Sequence, residues 1–262
     1  MKKLVFALTV AAIGTVFAAD KAPTQEEVKN MSPEERKALF EQRTGGMVRH
    51  EAEGPAIVVV DARATPGKAL SHFERENIKA YGSTPGLPVK TYAAPIQGEP
   101  IPAAQGILAK ESGAMAIVIV NGGATAPGLT VCPEDRVAAI NADRYDNNEI
   151  LLLKEIWRTI GFIGGVGYSQ YSADPMQAVY SKEDLEAMQG TALLPTSLNA
   201  LRTFNKRFGI TPAYSLPYIA AVRKGWAPAP TNDNQKAIWE KFQAEKERGP
   251  SNPILIPPPG KK

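Results

Sequence analysis

The sequence predicts an α/β protein built on a mixed sheet, and three observations lead there. GPAIVVVDAR (54–63) and AMAIVIVNGG (114–123) are continuous, β-branched runs closed by charge or glycine, the pattern of strands buried on both faces. Between them, ALSHFERENIKAYG (69–82) sets Leu70, Phe73, Ile78 and Tyr81 on or near one helical face, so the order is strand, helix, strand. A second helix, from Glu149 to Ile160, repeats Ile150, Leu153, Ile156 or Trp157, and Ile160 at steps of three and four and stops at Gly161.

The remaining elements follow in chain order. Lys2 and Lys3 precede LVFALTVAAIGTVFA, an apolar run closing in small residues, with Val16-Phe17-Ala18 set for cleavage before Ala19 or Asp20. Residues 1–19 therefore read as a secretory signal peptide, too short in their apolar part for the ~20 residues of a spanning helix. The expectation is a secreted or periplasmic protein with no stable membrane insertion. Residues 20–46 read as a polar, helical leading segment: Ser32 and Glu35 make a capping box, Pro33 suits the first helical position, and Gly45-Gly46 ends the run.

The Pro-rich connector after Gly82 admits a strand at Val89–Tyr92 and a short helix at Ala103–Lys110. VAAIN, within PEDRVAAINADRYD (133–146), reads as another strand directly before the helix at Glu149. Past residue 170 the chain becomes helical pieces divided by Pro and Gly: KEDLEAMQG, SLNALRTFNKRFGI and PYIAAVRKG. Residues 226–262 form a Pro- and Trp-containing end, the helix NDNQKAIWEKFQAEKERG and then the extended tail NPILIPPPGKK.

Composition narrows the function. Without Lys2 and Lys3, the 30 basic and 27 acidic residues become 28 and 27, interleaved throughout, so no basic stripe marks a nucleic-acid surface. Cys132 is the single cysteine, which excludes an intrachain disulfide; with no histidine near it, it reads as a buried, inert thiol. A hydrophobic content of 44% gives a chain of this length one substantial core. Nothing in the sequence sets an oligomeric state.

The helix at Glu149 has the outline of a metallopeptidase active-site helix. In His-Glu-x-x-His, two histidines four apart grip zinc, the Glu serves as general base, and a glycine further on turns the chain toward a third ligand. Laid on KEIWRTIGFIG, this pattern puts Glu155 at the general-base position and Gly161 at the turn glycine, with Lys154, Arg158 and Gly164 at the three ligand positions. Protonated Lys and Arg offer no lone pair and Gly has no side chain, so no metal and no other cofactor is expected. On residue chemistry alone the two cations are solvated or held in structural ion pairs, or they form an anion site.

Residues 114–180 resemble the metzincin-type zinc peptidases, in layout the archaemetzincins. The residues that carry this are the strand and polar loop AIVIVNGG…APG, the strand RVAAINADRY, the ligand-free helix, and the methionine-bearing ADPMQAVYS. The resemblance implies a zincin-like mixed sheet with an active-site-type helix in a domain over 47–225, Met176 as the methionine beneath the metal position, and structural roles for Gly161 and Gly164. GWAPAPTNDNQKAIWEKFQAEKERGPSNPILI is similar to the tail of a group of uncharacterised secreted proteins with such ligand-free helices.

The function implied is that of a secreted pseudopeptidase which binds a peptide or an anionic small ligand. Lys154, Glu155 and Arg158 would line its cleft, the two cations anchoring a carboxylate-bearing peptide end. Two other readings stand beside it: a peptidase with atypical ligands that recruits His50 and His72 or needs no metal, and a cell-surface structural protein acting through its tail.

Other motifs carry less. GFIGGVG follows a helix, whereas a phosphate-cradling loop follows a strand. His50 and His72 read as surface or capping residues, and GYSQY, with Ser169, lacks the Gly-x-Ser-x-Gly elbow. A carboxylate pair of Glu155 with Asp174 or Asp61 is a matter for geometry. Trp226 and Trp239 either seal the core or offer a contact to a peptide or glycan.

Overall fold

Uninterrupted runs of Val and Ile have two apolar faces to hide, and both faces of the sheet they form are covered. The computed structural model describes residues 23–80 and 86–247. Residues 1–19, expected to be a signal peptide, Tyr81 and the tail NPILIPPPGKK lie outside the described residues.

Two helices, α1 (Gln25–Asn30) and α2 (Pro33–Thr44), lead to a short strand β1 (Met47–His50). There follow β2 (Ile57–Asp61), α3 (Ala69–Ala80), β3 (Val89–Ala93), α4 (Pro100–Glu111) and β4 (Met115–Val120). Then come β5 (Leu129–Cys132), β6 (Val137–Asn141), a 3-10 turn (Ala142–Tyr145) and the long helix α5 (Glu149–Ile163). The remainder holds α6 (Lys182–Ala187), α7 (Pro195–Ala200), α8 (Arg202–Phe208), β7 (Tyr214–Pro217), α9 (Tyr218–Lys224) and α10 (Asp233–Glu247).

The sheet runs in the order β3-β2-β4-β6-β5. The first four strands are parallel and β5 joins β6 antiparallel, which makes the sheet mixed. Because side chains alternate along a strand, each run feeds two cores. Ile57, Val59, Ile117, Ile119 and Ile140 meet Phe73 of α3 and Leu152, Ile156 and Trp157 of α5 on one face. Val58, Val60, Ala116 and Val118 meet Ala104 and Leu108 of α4 on the other. The α/β class and the mixed sheet are thus present.

Several local expectations are revised. The leading segment is two helices, each opened by its own capping box, Thr24 with Glu27 and Ser32 with Glu35. The helix at Ala103–Lys110 starts earlier, at Pro100, since proline is at home in a first helical turn. The helix beginning at Glu149 passes Gly161 and is capped at Gly164. It also lacks a polar face: Leu151 to Gly161 are all buried, while Ile150, expected in the apolar stripe, is 40% exposed.

Three strands escaped the sequence reading: β5 at the sheet edge, β1 and β7. β1 pairs antiparallel with β7, from Met47↔Pro217 to His50↔Tyr214; α9 packs on this ribbon, and α2 and α10 pack on α9 and on each other. Gly45 makes that packing possible: at φ +75° it turns out of α2, and a Cβ there would lie 2.8 Å from the Cβ of buried Tyr218. The carbonyl of Gly45 accepts from Gln235 Nε2 of α10 at 2.8 Å.

Candidate functional site

The site is built on α5. Asn148 caps it, its side-chain oxygen accepting from the N–H groups of Ile150 at 2.9 Å and Leu151 at 3.3 Å. Trp157, fully buried, packs edge-on to Phe73 of α3 with ring centroids 5.0 Å apart. Burial of each such side chain stabilises by ~1.5–3 kcal/mol, and this apolar packing offsets the cost of carrying Lys154, Glu155 and Arg158 into the interior.

Each of those three is at most 5% exposed. Lys154 Nζ donates to the carbonyls of Leu185 at 2.7 Å and Met188 at 2.6 Å, with that of Glu186 at 3.5 Å. Its three protons are directed at main-chain oxygens at the end of α6, where helix carbonyls lack internal partners. Burial pulls its pKa below the usual lysine value. Arg158 Nη1 donates to Pro175 O at 2.9 Å and Gln177 O at 2.7 Å, straddling Met176.

Glu155 Oε1 lies 3.3 Å from Arg158 Nε, an ion pair by distance whose N–H points elsewhere, since that nitrogen has no hydrogen-bond acceptor. The other oxygen of Glu155, Oε2, is buried with no hydrogen-bond partner at all. Burial pushes this carboxyl up, against the pull of Arg158 and of the Tyr145 phenol beside it. The phenol is raised as well, by burial first and then by the charge of Glu155. Gly128 leaves room for that phenol, as a Cβ there would come within 2.7 Å of its oxygen.

Gly161 and Met176 form a notch and its filling. A Cβ on Gly161 would lie 2.1 Å from Met176 Sδ, so only glycine lets the fully buried methionine lie against the helix. Asp174 fixes the turn, accepting Met176 N–H at 3.0 Å and the Ser197 hydroxyl at 2.6 Å. Gly164 yields its side-chain space to Leu201, whose Cδ2 would be 2.2 Å from a Cβ.

A groove of about 390 Å³ opens beside these residues. Glu155, Arg158 and Tyr145 line it from the interior, Leu129 of β5 bounds it, and Tyr168 and Tyr180, 70% and 92% exposed, stand at its rim. Lys154 does not line this groove, contrary to its expected place in the cleft; it reaches the strap after the helix instead. A larger depression of about 490 Å³ beside α4 includes Arg136, which is already bonded to the carbonyls of Gly113 and Ala114.

The other candidates lie elsewhere. Asp61 is bonded to Arg63, and neither Asp61 nor Asp174 lines the groove, so no acid pair forms with Glu155 there. His50 is half-buried: it stacks on Tyr214 with centroids 4.8 Å apart and meets Trp226 edge-on at 4.8 Å. His72 sits on α3, half-buried Cys132 ends β5, Ser169 N–H donates to Met176 O, and Trp239 is half-buried in α10. Among the described residues no group of three His, Cys, Asp or Glu converges as a metal site. The donor set on α5 does not fit zinc either, because an ammonium and a guanidinium bonded to carbonyls have no electron pair to give.

Sequence reasoning missed Tyr145, Tyr168 and Tyr180. Tyr145 had a usable signal in NADRYD, an aromatic between a strand end and a helix cap; the rim tyrosines belong to irregular segments with no periodicity.

No protein-family model and no curated protein matches the sequence. Among solved structures, the chain is similar to the archaemetzincin of Methanopyrus kandleri, with 13% identity over 59% of this chain and 97% of that one, at a TM-score of 0.44. It is also similar to a zinc-dependent peptidase from Methanocorpusculum labreanum, with 14% identity over 56% of this chain and all (100%) of the other, at a TM-score of 0.41.

Proposed function

We propose that this chain is an exported, non-hydrolytic protein of zincin-like design that binds an extended peptide in the groove between β5 and the tyrosine-bearing rim. One observation carries the reading. The carboxylate at the general-base position, Glu155, is buried at the groove with one oxygen lacking a partner, while the neighbouring ligand positions hold cations bonded to the main chain. A buried acceptor short of donors is costly, and a donor that a bound peptide brings to the Glu155–Tyr145 pair at the groove offsets that cost.

The edge strand supports the same ligand. Asn141 N–H donates to Gly128 O, so the bonds to β6 fall to Gly128, Thr130 and Cys132 in the paired register. The main-chain groups of Leu129 and Val131 then face away from β6, where a peptide strand can pair with them. The cations at the groove are already engaged, Arg158 by main-chain carbonyls and Lys182 by Asp146 and Glu186, so the edge strand is what favours a peptide.

A peptide pool passed over the purified protein tests this, the retained peptides being identified by mass spectrometry. Retention by the wild type, intact peptides on recovery, and loss of retention in Glu155→Ala are expected. Stoichiometric zinc by elemental analysis, or cleavage of those peptides that a chelator stops, would defeat the non-hydrolytic reading. Export is tested by N-terminal sequencing of protein from the extracytoplasmic fractions, with Ala19 or Asp20 expected first.

A further inference from the structure

Lys154 and Arg158 lie one turn apart on α5, and both are bonded to the strap that follows the helix. Arg158 holds it at Pro175 O and Gln177 O, at 2.9 and 2.7 Å. Lys154 holds it at Leu185 O and Met188 O, at 2.7 and 2.6 Å. The stretch between those two points carries Val179, Tyr180, Ser181 and Lys182, which form one wall of the groove.

A buried cation needs its donors satisfied; here main-chain carbonyls take the Lys154 ammonium and Arg158 Nη1, while Arg158 Nε, 3.3 Å from Glu155 Oε1, makes no hydrogen bond. The carbonyls at the end of α6 gain as well, since they have no donor within the helix. Side-chain identity in the strap is irrelevant to such bonds, whereas its backbone position is fixed at both ends.

We propose that Lys154 and Arg158 are positioning residues: two braces, set at the ligand positions of a metal-type helix, that hold the stretch 178–184, and with it the groove wall 179–182, by charge-assisted hydrogen bonds to the backbone. The fixed cationic groups of the chain thereby take over the tie between helix and strap that a shared metal ion can make. The brace stands on the hydrogen bonds alone; that the braced wall serves a ligand rests on the peptide-binding reading above.

Hydrogen exchange of the ligand-free, full-length protein tests it, with Lys154→Met and Arg158→Met beside the wild type. Exchange across 175–188 should quicken about tenfold or more, the scale set by losing a hydrogen bond to a charged group, while β2, β4 and β6 stay protected. In Lys154→Ala, propylammonium in the buffer should restore protection at 185–188. Lys154→Arg and Arg158→Lys keep a cation and should show protection between that of the wild type and the Met variants, which serves if a Met variant fails to fold. Unchanged exchange in the strap, or a uniform rise through the sheet as well, overturns the brace. Failure of the wild type to retain any peptide, with strap exchange behaving as described, removes the peptide-binding reading and leaves the brace in place.

Discussion

Asp61, at the end of β2, is 1% exposed and accepts from Arg63 Nε at 2.9 Å, Arg63 Nη2 at 2.7 Å and Gly67 N–H at 3.2 Å. Arg63 Nη1 reaches on to Glu149 at 3.1 Å, and Glu149 accepts Ala69 N–H at 2.6 Å. Three element ends are joined by one guanidinium. Burial opposes the charge on Asp61, but the bonds from Arg63 and Gly67 together outweigh it and hold the carboxyl below 3.8. A lowered carboxyl contributes stability above its unfolded value and loses it as the pH falls through the folded one. Asp61→Asn should therefore cost ~3–5 kcal/mol near neutral pH, read from urea unfolding, and the gap to wild type should close in acid. At the Gly161 notch, Gly161→Ala should cost ~1–3 kcal/mol by overpacking Met176. That cost should largely vanish in a Met176→Ala background, because the double substitution removes the clash; additive losses in the unfolding cycle would contradict the notch.

At the scale of elements, α5 and β5 divide the work. α5 is buried along nearly its whole length, so its charged residues serve fixed internal bonds instead of a solvated face. β5 is short, at the sheet edge, with every second residue turned away from β6. Proline removes one N–H, and its effect depends on which side that group faces. Val131→Pro should leave the melting temperature close to wild type and abolish peptide retention. Thr130→Pro, breaking the ladder to β6, should lower the melting temperature. Equal effects of the two on stability would argue against the assigned strand edge.

At the scale of the whole molecule, the leading and trailing described segments meet. β1 from the leading part pairs with β7 from the last third, and α10 lies against α2 and α9, with Gln235 satisfying the carbonyl of Gly45. The five-stranded sheet draws its core from other residues, from Ile57 to Ile210, none of them in α2, β1, β7, α9 or α10. Ending the chain after Gly225 should thus free α2 and the β1–β7 ribbon to exchange, while β2, β4 and β6 keep their protection. Simultaneous loss in both regions would show a single cooperative unit. Among the described residues no helix is long and apolar enough to cross a membrane.

Local pattern carried the sheet. Val58–Val60 and Ala116–Val120 could only be buried strands, and the Ser32 box and the helix from Glu149 were likewise legible, because apolar periodicity and capping act over a few neighbours. Glu155, Arg158 and Gly161 were singled out by laying a known motif on that helix, and Met176 only by the family resemblance. What the string of residues could not state was the destination of each buried charge. Lys154 looks the same whether it faces a groove or the carbonyl of Met188 thirty-four residues on, and β1 shows no partner until β7 arrives. Those choices depend on contacts between distant segments, where the cost of burying a charge or an open strand edge is settled only by what the fold brings beside it.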